Sequence, residues 1–432
     1  MQASDVQAEI QKPMSVTWDS IVIGGGAAGL WAAGTVAMRG RRVLVIEKNN
    51  KAGVKILMSG GTRCNITHAC SARQIADAFG PQGRFLLSPL SRMPPEEVVQ
   101  QFHRMGVETK VEETGKVFPV SNKAIDVRDA LVKRLVDAGG NIRTGTAVTR
   151  VHRDPNGSGF LVTAASEELS ARSVLITTGG LSFSGCGTTG DGYAWLREMG
   201  HSITELRPAL TPILSPAAWV HELSGITLDD ASVTALPEGQ MPKRKEAQAM
   251  TSRGGFLWTH FGCSGPTAMN VSKYLSDRAD YKHARLSIDV LPDHSESECL
   301  AWLDAATTGP QALKQVANLL AERLPKRLIT SILVNANVAG ETRMAELSKR
   351  FRASIVERLK AWQIPVCGTR GYPKAEVTAG GVVLSEVDSK TMESRIVPGL
   401  YLAGEILDLD GPIGGYNFQA AWSTGHTAGE SM

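Results

Sequence analysis

The chain has 432 residues, too many for one compact core, so it divides into two or three domains. Hydrophobic residues at 42% and charged residues at 21% describe an ordinary globular protein, and a net charge of +3 gives neither a nucleic-acid footprint nor a polybasic membrane anchor. Six scattered cysteines (Cys64, Cys70, Cys186, Cys263, Cys299, Cys367), with no CxxC pair, read as reduced cytoplasmic thiols without a disulfide framework or a metal site.

In chain order, residues 1–17 are polar and of mixed charge, a loosely held tail with no signal-peptide pattern. Residues 20–47, SIVIGGGAAGLWAAGTVAMRGRRVLVIE, read as strand, glycine turn, helix, strand and acid. Gly24 permits the turn, Gly26 lets a pyrophosphate approach the backbone, and Gly29 lets helix and strand pack closely. Glu47, 18 residues past Gly29, is placed for ribose hydroxyls. The nearly uncharged run 20–38 has the length of a membrane span. Its five glycines (Gly24, Gly25, Gly26, Gly29, Gly34) and the second apolar run at once after it favour the nucleotide turn.

The next segment, Ser59-Gly60-Gly61-Thr62-Arg63-Cys64-Asn65, offers exposed amides, a fixed cation and an amide side chain, and reads as a ligand loop. Residues 72–110 read as amphipathic helix and 111–120 as a hairpin. Residues 124–138 form a helix with Ile125, Val127, Leu131, Leu135 and Val136 apolar. Residues 141–153 and 159–165 alternate like antiparallel strands around a turn at Pro155-Asn156-Gly157. Residues 173–180 are a buried strand entering a glycine turn, and Asp191 is placed to cap the helix 193–199.

From Pro208 short apolar runs between turns suggest a small antiparallel sheet or barrel. Within it Thr259-His260-Phe261-Gly262-Cys263-Ser264-Gly265-Pro266 is dense in reactive residue types; a structural turn with His260 as a substrate contact is favoured over a Cys/His nucleophile pair. Residues 296–362 are helical with solvated charged faces. Strands return at 375–383 and 399–405, and a glycine turn (Gly414-Gly415) opens a last helix. With only one GxGxxG, first and last segments together suit one long cofactor.

The glycine fingerprint with Glu47, SGGTRCN, the TTGG and TTGDGY stretches, THFGCSGP, VTAGGV and GLYLAGEILDLDGPIGGYNFQAAWSTG resemble the BaiN-like bacterial FAD-dependent flavoproteins. That group's fold is related to those of glutathione reductase and succinate dehydrogenase flavoproteins. The resemblance covers almost the whole chain after residue 18. Two departures stand out: Ser-Gly-Gly-Thr-Arg where a third glycine is usual, and Cys263 where leucine is frequent. The resemblance implies an α/β fold in which a Rossmann-like FAD-binding domain (18–205 and 363–432) is interrupted. The interruptions are an inserted antiparallel β-barrel domain (206–295, with part of 330–365) and a small helical module (296–362).

It also implies non-covalent FAD. Gly24, Gly26, Ala27 and Ala28 would meet the pyrophosphate, Glu47 the ribose and Val148 the adenine. Arg63, Cys64 and Asn65 would lie near the ribityl chain and flavin, Gly179 under the nucleotide, Glu405 at the ribityl–phosphate junction, and Tyr416 and Asn417 near the ring. Gly29, Lys48, Gly61, Thr178, Gly404 and Gly415 complete the expected cofactor-binding set. No clear general base emerges; Cys64, His260 and Tyr416 are the catalytic candidates.

The expected activity is hydride transfer at flavin N5 between a small organic substrate and NAD(P)H or oxygen. Within the resembled group one member oxidises aminoacetone and another reduces conjugated double bonds in bile-acid dienones. The alternatives are oxidation of a small amine and, in another class, a tRNA-modifying flavoprotein, which the modest charge disfavours. A redox sensor built on Cys64 lacks a nearby resolving cysteine.

Overall fold

A short apolar run that ends in glycine buries both faces best as an inner strand of a parallel sheet. Strand β1 (Trp18–Ile23) does so, with Ile21, Val22 and Ile23 all buried. Helix α1 (Ala27–Met38) crosses to β2 (Val43–Ile46), which runs parallel to β1 with Ile23 opposite Ile46. This computed structural model describes residues 18–155, 157, 159–276 and 278–432; the expected tail at 1–17 and the turn residue Asn156 lie outside them.

Strands β3 (Thr67–His68), β4 (Thr109–Val111) and β5 (Lys116–Pro119) form a small antiparallel sheet in the order β3-β5-β4. Helices at Ala72–Ala78, Gly83–Arg92 and Pro95–Arg104 occupy the stretch expected to be helical as far as Arg104, and its last two residues belong to β4. Helix α2 (Ala124–Asp137) buries Val127, Leu131 and Leu135, but Ile125 and Val136 are 45% and 54% exposed. Its buried face is therefore narrower than the five-residue stripe predicts. Residues 141–153 are two strands, not one: β6 (Asn141–Arg143) runs parallel to β2, and β7 (Val148–Arg153) runs antiparallel to β8 (Phe160–Ala164). Strand β9 (Glu167–Ile176) pairs with β8 through its first half and lies parallel to β1. Helix α3 (Asp191–Glu198) follows.

The next strands are β10 (Arg207–Ala209), β11 (Ile213–Leu214), β12 (Thr227–Leu236), β13 (Thr251–Thr259), β14 (Gly262–Ser264) and β15 (Arg285–Asp289). Among the helices that follow are α4 (Glu296–Ala305), α5 (Lys326–Asn335) and α6 (Lys349–Lys360), then β16 (Trp362–Pro365), β17 (Gly368–Thr369) and β18 (Val377–Ala379). Seven of these strands make an antiparallel sheet in the order β16-β15-β12-β13-β14-β11-β17. No pair among the described residues joins β16 to β17, so the sheet is open where a closed barrel was expected. Apolar residues of the sheet, such as Phe256, Trp258 and Ile288, share one core with Leu303, Ile332 and Leu359 of the helices.

Strand β19 (Leu400–Leu402) then adds in parallel to β9, on the side that β8 has vacated, and helix α7 (Tyr416–Ser431) ends the chain. One compact unit comprises residues 18–180 with Gly185–Glu205 and Gly380–Met432; the other comprises Leu181–Ser184 and Leu206–Ala379. In the first unit α7 lies against α1 at very short range: a Cβ on Gly425 would fall 2.5 Å from the Ala28 carbonyl oxygen, and one on Gly429 2.6 Å from that of Ala32.

Candidate cofactor and active site

At the start of α1 the glycines have three different reasons. Gly24 sits at φ +102° beside Thr177, whose carbonyl oxygen would be 2.6 Å from a Cβ. A Cβ on Gly29 would fall 2.0 Å from the Gly24 carbonyl oxygen, so the strand and helix need glycine to touch. Around Gly26 nothing lies within 4 Å of a Cβ position, which leaves the space open. No side chain caps α1, and Leu30 N–H is the one that bonds back to Gly26, at 2.9 Å. The amides of Ala27, Ala28 and Gly29 are therefore left without intrahelical partners at a positive dipole end, an arrangement suited to an anion.

Glu47 is 8% exposed and fastens this turn. Its Oε2 accepts from Gly25 N–H at 2.8 Å, and its Oε1 accepts from Asn49 N–H at 2.8 Å and Asn49 Nδ2 at 2.7 Å. It still faces a cleft lined by Ile23, Gly24, Lys48, Val148, Thr178 and Asp191, among others. Lys48 bonds to Thr189 and to Asp191 at 2.7 Å. Asp191 is the first residue of α3, and the cap is left-handed Gly190, so the capping role expected of Asp191 is not observed. Desolvation opposes its charge, but hydrogen bonds from Lys48 and Thr189 outweigh that and hold its carboxyl below the usual range. Gly179, at φ +72°, packs against Thr188.

The 59–65 loop is strained. Gly60, Gly61, Thr62 and Cys64 have φ between +54° and +68°, a region that costs an L-residue roughly 1–2 kcal/mol. Its anchors compensate: Cys64 N–H donates to Ser59 O at 3.2 Å and Ala124 N–H to Thr62 O at 2.9 Å. Arg63 lies over the Phe118 ring at 3.9 Å, donates to Asn122 at 3.2 Å and pairs with Glu112. Its guanidinium thus ties the loop to β5. Cys64 is fully buried, and burial pushes its thiol up to about 12, against a smaller opposing hydrogen bond with Ser59. A thiol held neutral in this way is a poor nucleophile or redox centre. Asn65 is 8% exposed, and its Oδ1 has no partner among the described residues.

The third group forms where β3 meets α7. A Cβ on Gly415 would fall 2.5 Å from the Thr67 carbonyl, so only glycine lets the two backbones cross. Thr67 donates to Gln419 Oε1 at 2.5 Å, and Trp422 Nε1 donates to Ile66 O at 2.9 Å. His68 Nδ1 lies 3.0 Å from Gly414 O, an acceptor, so Nδ1 carries the proton. The His68 ring stacks on Tyr416, centroids 4.9 Å apart and planes 21° apart. Burial pushes the half-buried Tyr416 phenol up, with a lesser push from Cys70. No side chain caps α7, so its first amides are directed outward at a positive end.

Asn417 accepts from Gly411 N–H at 2.8 Å and donates to Gly411 O at 2.9 Å, which holds the 411–412 turn. Glu405 pairs with Lys55 at 2.5 Å, and Gly404 N–H donates to Thr424 at 3.1 Å. Sequence reasoning missed His68, Lys55 and Gln419. Position alone hinted at His68, three residues past Asn65 at the exit of the ligand loop.

His260 belongs to the other unit, exposed at the tip of the β13–β14 hairpin. Cys263 is wholly buried with its thiol pushed up by desolvation, so the two do not make a nucleophile pair.

FAD fits the first unit. The open space at Gly26, two uncapped helix N-termini, and the unpartnered buried Thr178 Oγ1 and Asn65 Oδ1 offer what a long anionic dinucleotide takes up. Fold and site together define an FAD-dependent oxidoreductase of the Rossmann class. The family model described as "HI0933-like protein Rossmann domain" matches residues 18–431, and the chain belongs to that family. It is 32% identical over 418 residues to the ribosomal RNA dihydrouridine synthase of Escherichia coli K12, covering 96% of this chain and 98% of that one. It is 30% identical over 414 residues to the 3-dehydro-bile acid delta(4,6)-reductase of Clostridium scindens, covering 95% and 98%. The resemblance to BaiN-like flavoproteins therefore holds. Among solved structures, the fold is like that of the 3-ketosteroid-delta4-(5alpha)-dehydrogenase of Rhodococcus jostii RHA1. The TM-score is 0.50 at 15% identity, covering 98% of this chain and 99% of that one.

Proposed function

We propose that the chain is a reductase of a carbon–carbon double bond conjugated to a carbonyl, with NAD(P)H as the electron source. The observation that carries this reading is chemical agreement between the two full-length relatives. Dihydrouridine differs from uridine by two hydrogens across the C5=C6 bond next to the C4 carbonyl. A delta(4,6) 3-oxo bile acid carries a diene conjugated to its ketone. Saturating either kind of bond takes a hydride on the carbon farther from the carbonyl and a proton on its neighbour. When bound, FAD supplies the hydride from its N5. With FAD bound, the first amides of α7 would offer donors and a positive dipole end to negative charge on it, without a charged side chain. Tyr416, kept protonated by its burial and stacked on His68, is the proton donor of this proposal. Amine oxidation has no comparable support.

Residues 18–205 and 380–432 form the cofactor domain in this reading, and the inserted segment extends past 362 to Ala379. Among the described residues no helix is long and apolar enough to cross a membrane; a cytoplasmic location is part of the proposal. A second reading, that the double bond sits in a uridine of RNA and not in a free small molecule, is favoured by the E. coli relative.

The test is anaerobic. The yellow protein is reduced with NADH or NADPH, then mixed with a 3-oxo-4,6-diene bile acid or with ribosomal RNA lacking dihydrouridine. Mass spectrometry follows the gain of two hydrogens. Reduction of either acceptor supports the reductase and selects the substrate class. Bleaching by an amine alone, with neither acceptor reduced, overturns it.

A further inference from the structure

We infer that His260, Phe261 and Arg370 form a recognition platform on the second unit for a flat conjugated ring that carries an anionic group. The hairpin β13–β14 closes with Thr259 paired to Gly262, so His260 and Phe261 are its two tip residues. Two-residue hairpin loops usually take Gly, Asn or Asp there. Here the tip presents an exposed imidazole and a half-buried phenyl ring, edge to face at 5.0 Å. Strand β11 pairs with β14 on one side and β17 on the other, with Ile213 opposite both Cys263 and Thr369. Arg370 follows β17 directly and is pinned by its own N–H to Pro212 O at 2.9 Å. The Phe261 carbonyl accepts from Ser215 N–H at 3.1 Å. The ladder thereby carries the Arg370 guanidinium to 4.7 Å from the Phe261 ring centre.

No carboxylate among the described residues pairs with Arg370, and the side chain is exposed. The charge is therefore available to a ligand, in contrast to Arg63 with Glu112 or Arg253 with Asp230. Aromatic rings with a planar guanidinium stack bases, and the same guanidinium holds a phosphate or carboxylate in two-pronged fashion. A uridine nucleotide carries both groups one sugar apart, whereas a conjugated steroid carboxylate carries them at opposite ends of its ring system and engages the platform through one of them. The choice between these two ligands rests on the reductase reading; the platform itself does not.

The experiment measures binding to the flavin-loaded full chain. Fluorescein-labelled hexauridylate is followed by anisotropy and a 3-oxo-4,6-diene bile acid by calorimetry. Phe261→Leu is expected to weaken the bound probe about tenfold, within the range that one stacked base contributes. Arg370→Gln should lower the slope of log affinity against log salt for the oligonucleotide by about 1. Phe261→Tyr should restore binding, whereas Arg370→Lys keeps the charge but loses the planar contact and restores it only in part. Losses on hexauridylate assign the platform to nucleotides, and losses on the bile acid alone assign it to the free carboxylate. Unchanged affinity for both probes in both variants, with flavin content equal to wild type, overturns the platform. If the platform variants lose binding while wild type reduces neither acceptor, the reductase reading fails and the platform stands.

Discussion

The two helix N-termini of the first unit solve one problem by opposite means. Both α1 and α7 begin after a glycine with no side-chain cap, so both present bare amides. The α1 end is built from contiguous residues, 23–47, and is nearly stripped of side chains: Gly24, Gly26, Gly29 and the one acid, Glu47. The α7 end is built from segments more than 340 residues apart, with His68, Tyr416, Asn417 and Gln419 crowded around it. A phosphate site needs backbone and room, whereas a reacting ring needs side chains at fixed angles. In the proposed reading, the difference separates holding a cofactor from using it.

Four experiments strain that contrast. The largest effect is expected for Gly29→Ala, whose Cβ would meet the Gly24 carbonyl oxygen at 2.0 Å. Overpacking of this kind costs ~3 kcal/mol, and the flavin-to-protein absorbance ratio and melting temperature should both fall. Next, Glu47→Gln turns one acceptor into a donor facing the Gly25 or Asn49 amide. Loss of a charged hydrogen bond, about 2 kcal/mol, should weaken FAD by more than tenfold in a cofactor titration, with folding largely kept.

At the α7 end, Gln419→Leu removes the partner of the buried Thr67 hydroxyl. Denaturant unfolding should show ~1 kcal/mol less stability, with much less effect on FAD content than Glu47→Gln. If Gln419→Leu strips the flavin as fully as Gly29→Ala, the division between the two ends is wrong.

The smallest effect concerns Cys64. Its thiol is raised to about 12, so at pH 8 it is neutral in the folded state. Iodoacetamide mass mapping should modify the exposed Cys367 and leave Cys64 intact. Modification of Cys64 at a comparable rate would restore it as a reactive group. The sign extends to stability. A thiol whose folded value lies above the unfolded one favours folding at neutral pH no further, and this group weakens the fold only as pH rises past the unfolded value of about 8.5.

Local pattern made the α1 end legible, because the turn, the close packing and the acid that fastens the turn all fall within one strand–helix–strand unit. The loop at 59–65 was also legible as an irregular loop from its adjacent glycines. Its strain was not, since Thr62 and Cys64 carry positive φ without being glycine. Arg63 and Asn417 looked like direct ligand contacts. The fold adds structural partners that their positions did not announce: Phe118 and Glu112 for Arg63, and the 411–412 turn for Asn417. Asp191 looked like a cap, and the cap turned out to be Gly190. In each case the residue type was informative, but the partner depended on how the backbone folded around it.

Read alone, then, the residue order was enough for a Rossmann-type glycine turn and for the positions where only glycine fits, because backbone room is encoded by local composition. Tertiary structure alone decided that His68 stacks on Tyr416 and that Thr67 reaches Gln419. It also decided that β19 takes the place of β8 beside β9, and that Arg370 lies over Phe261. Such pairings depend on which strands become neighbours. That is settled by burial summed over a whole sheet, and no short window of residues contains it.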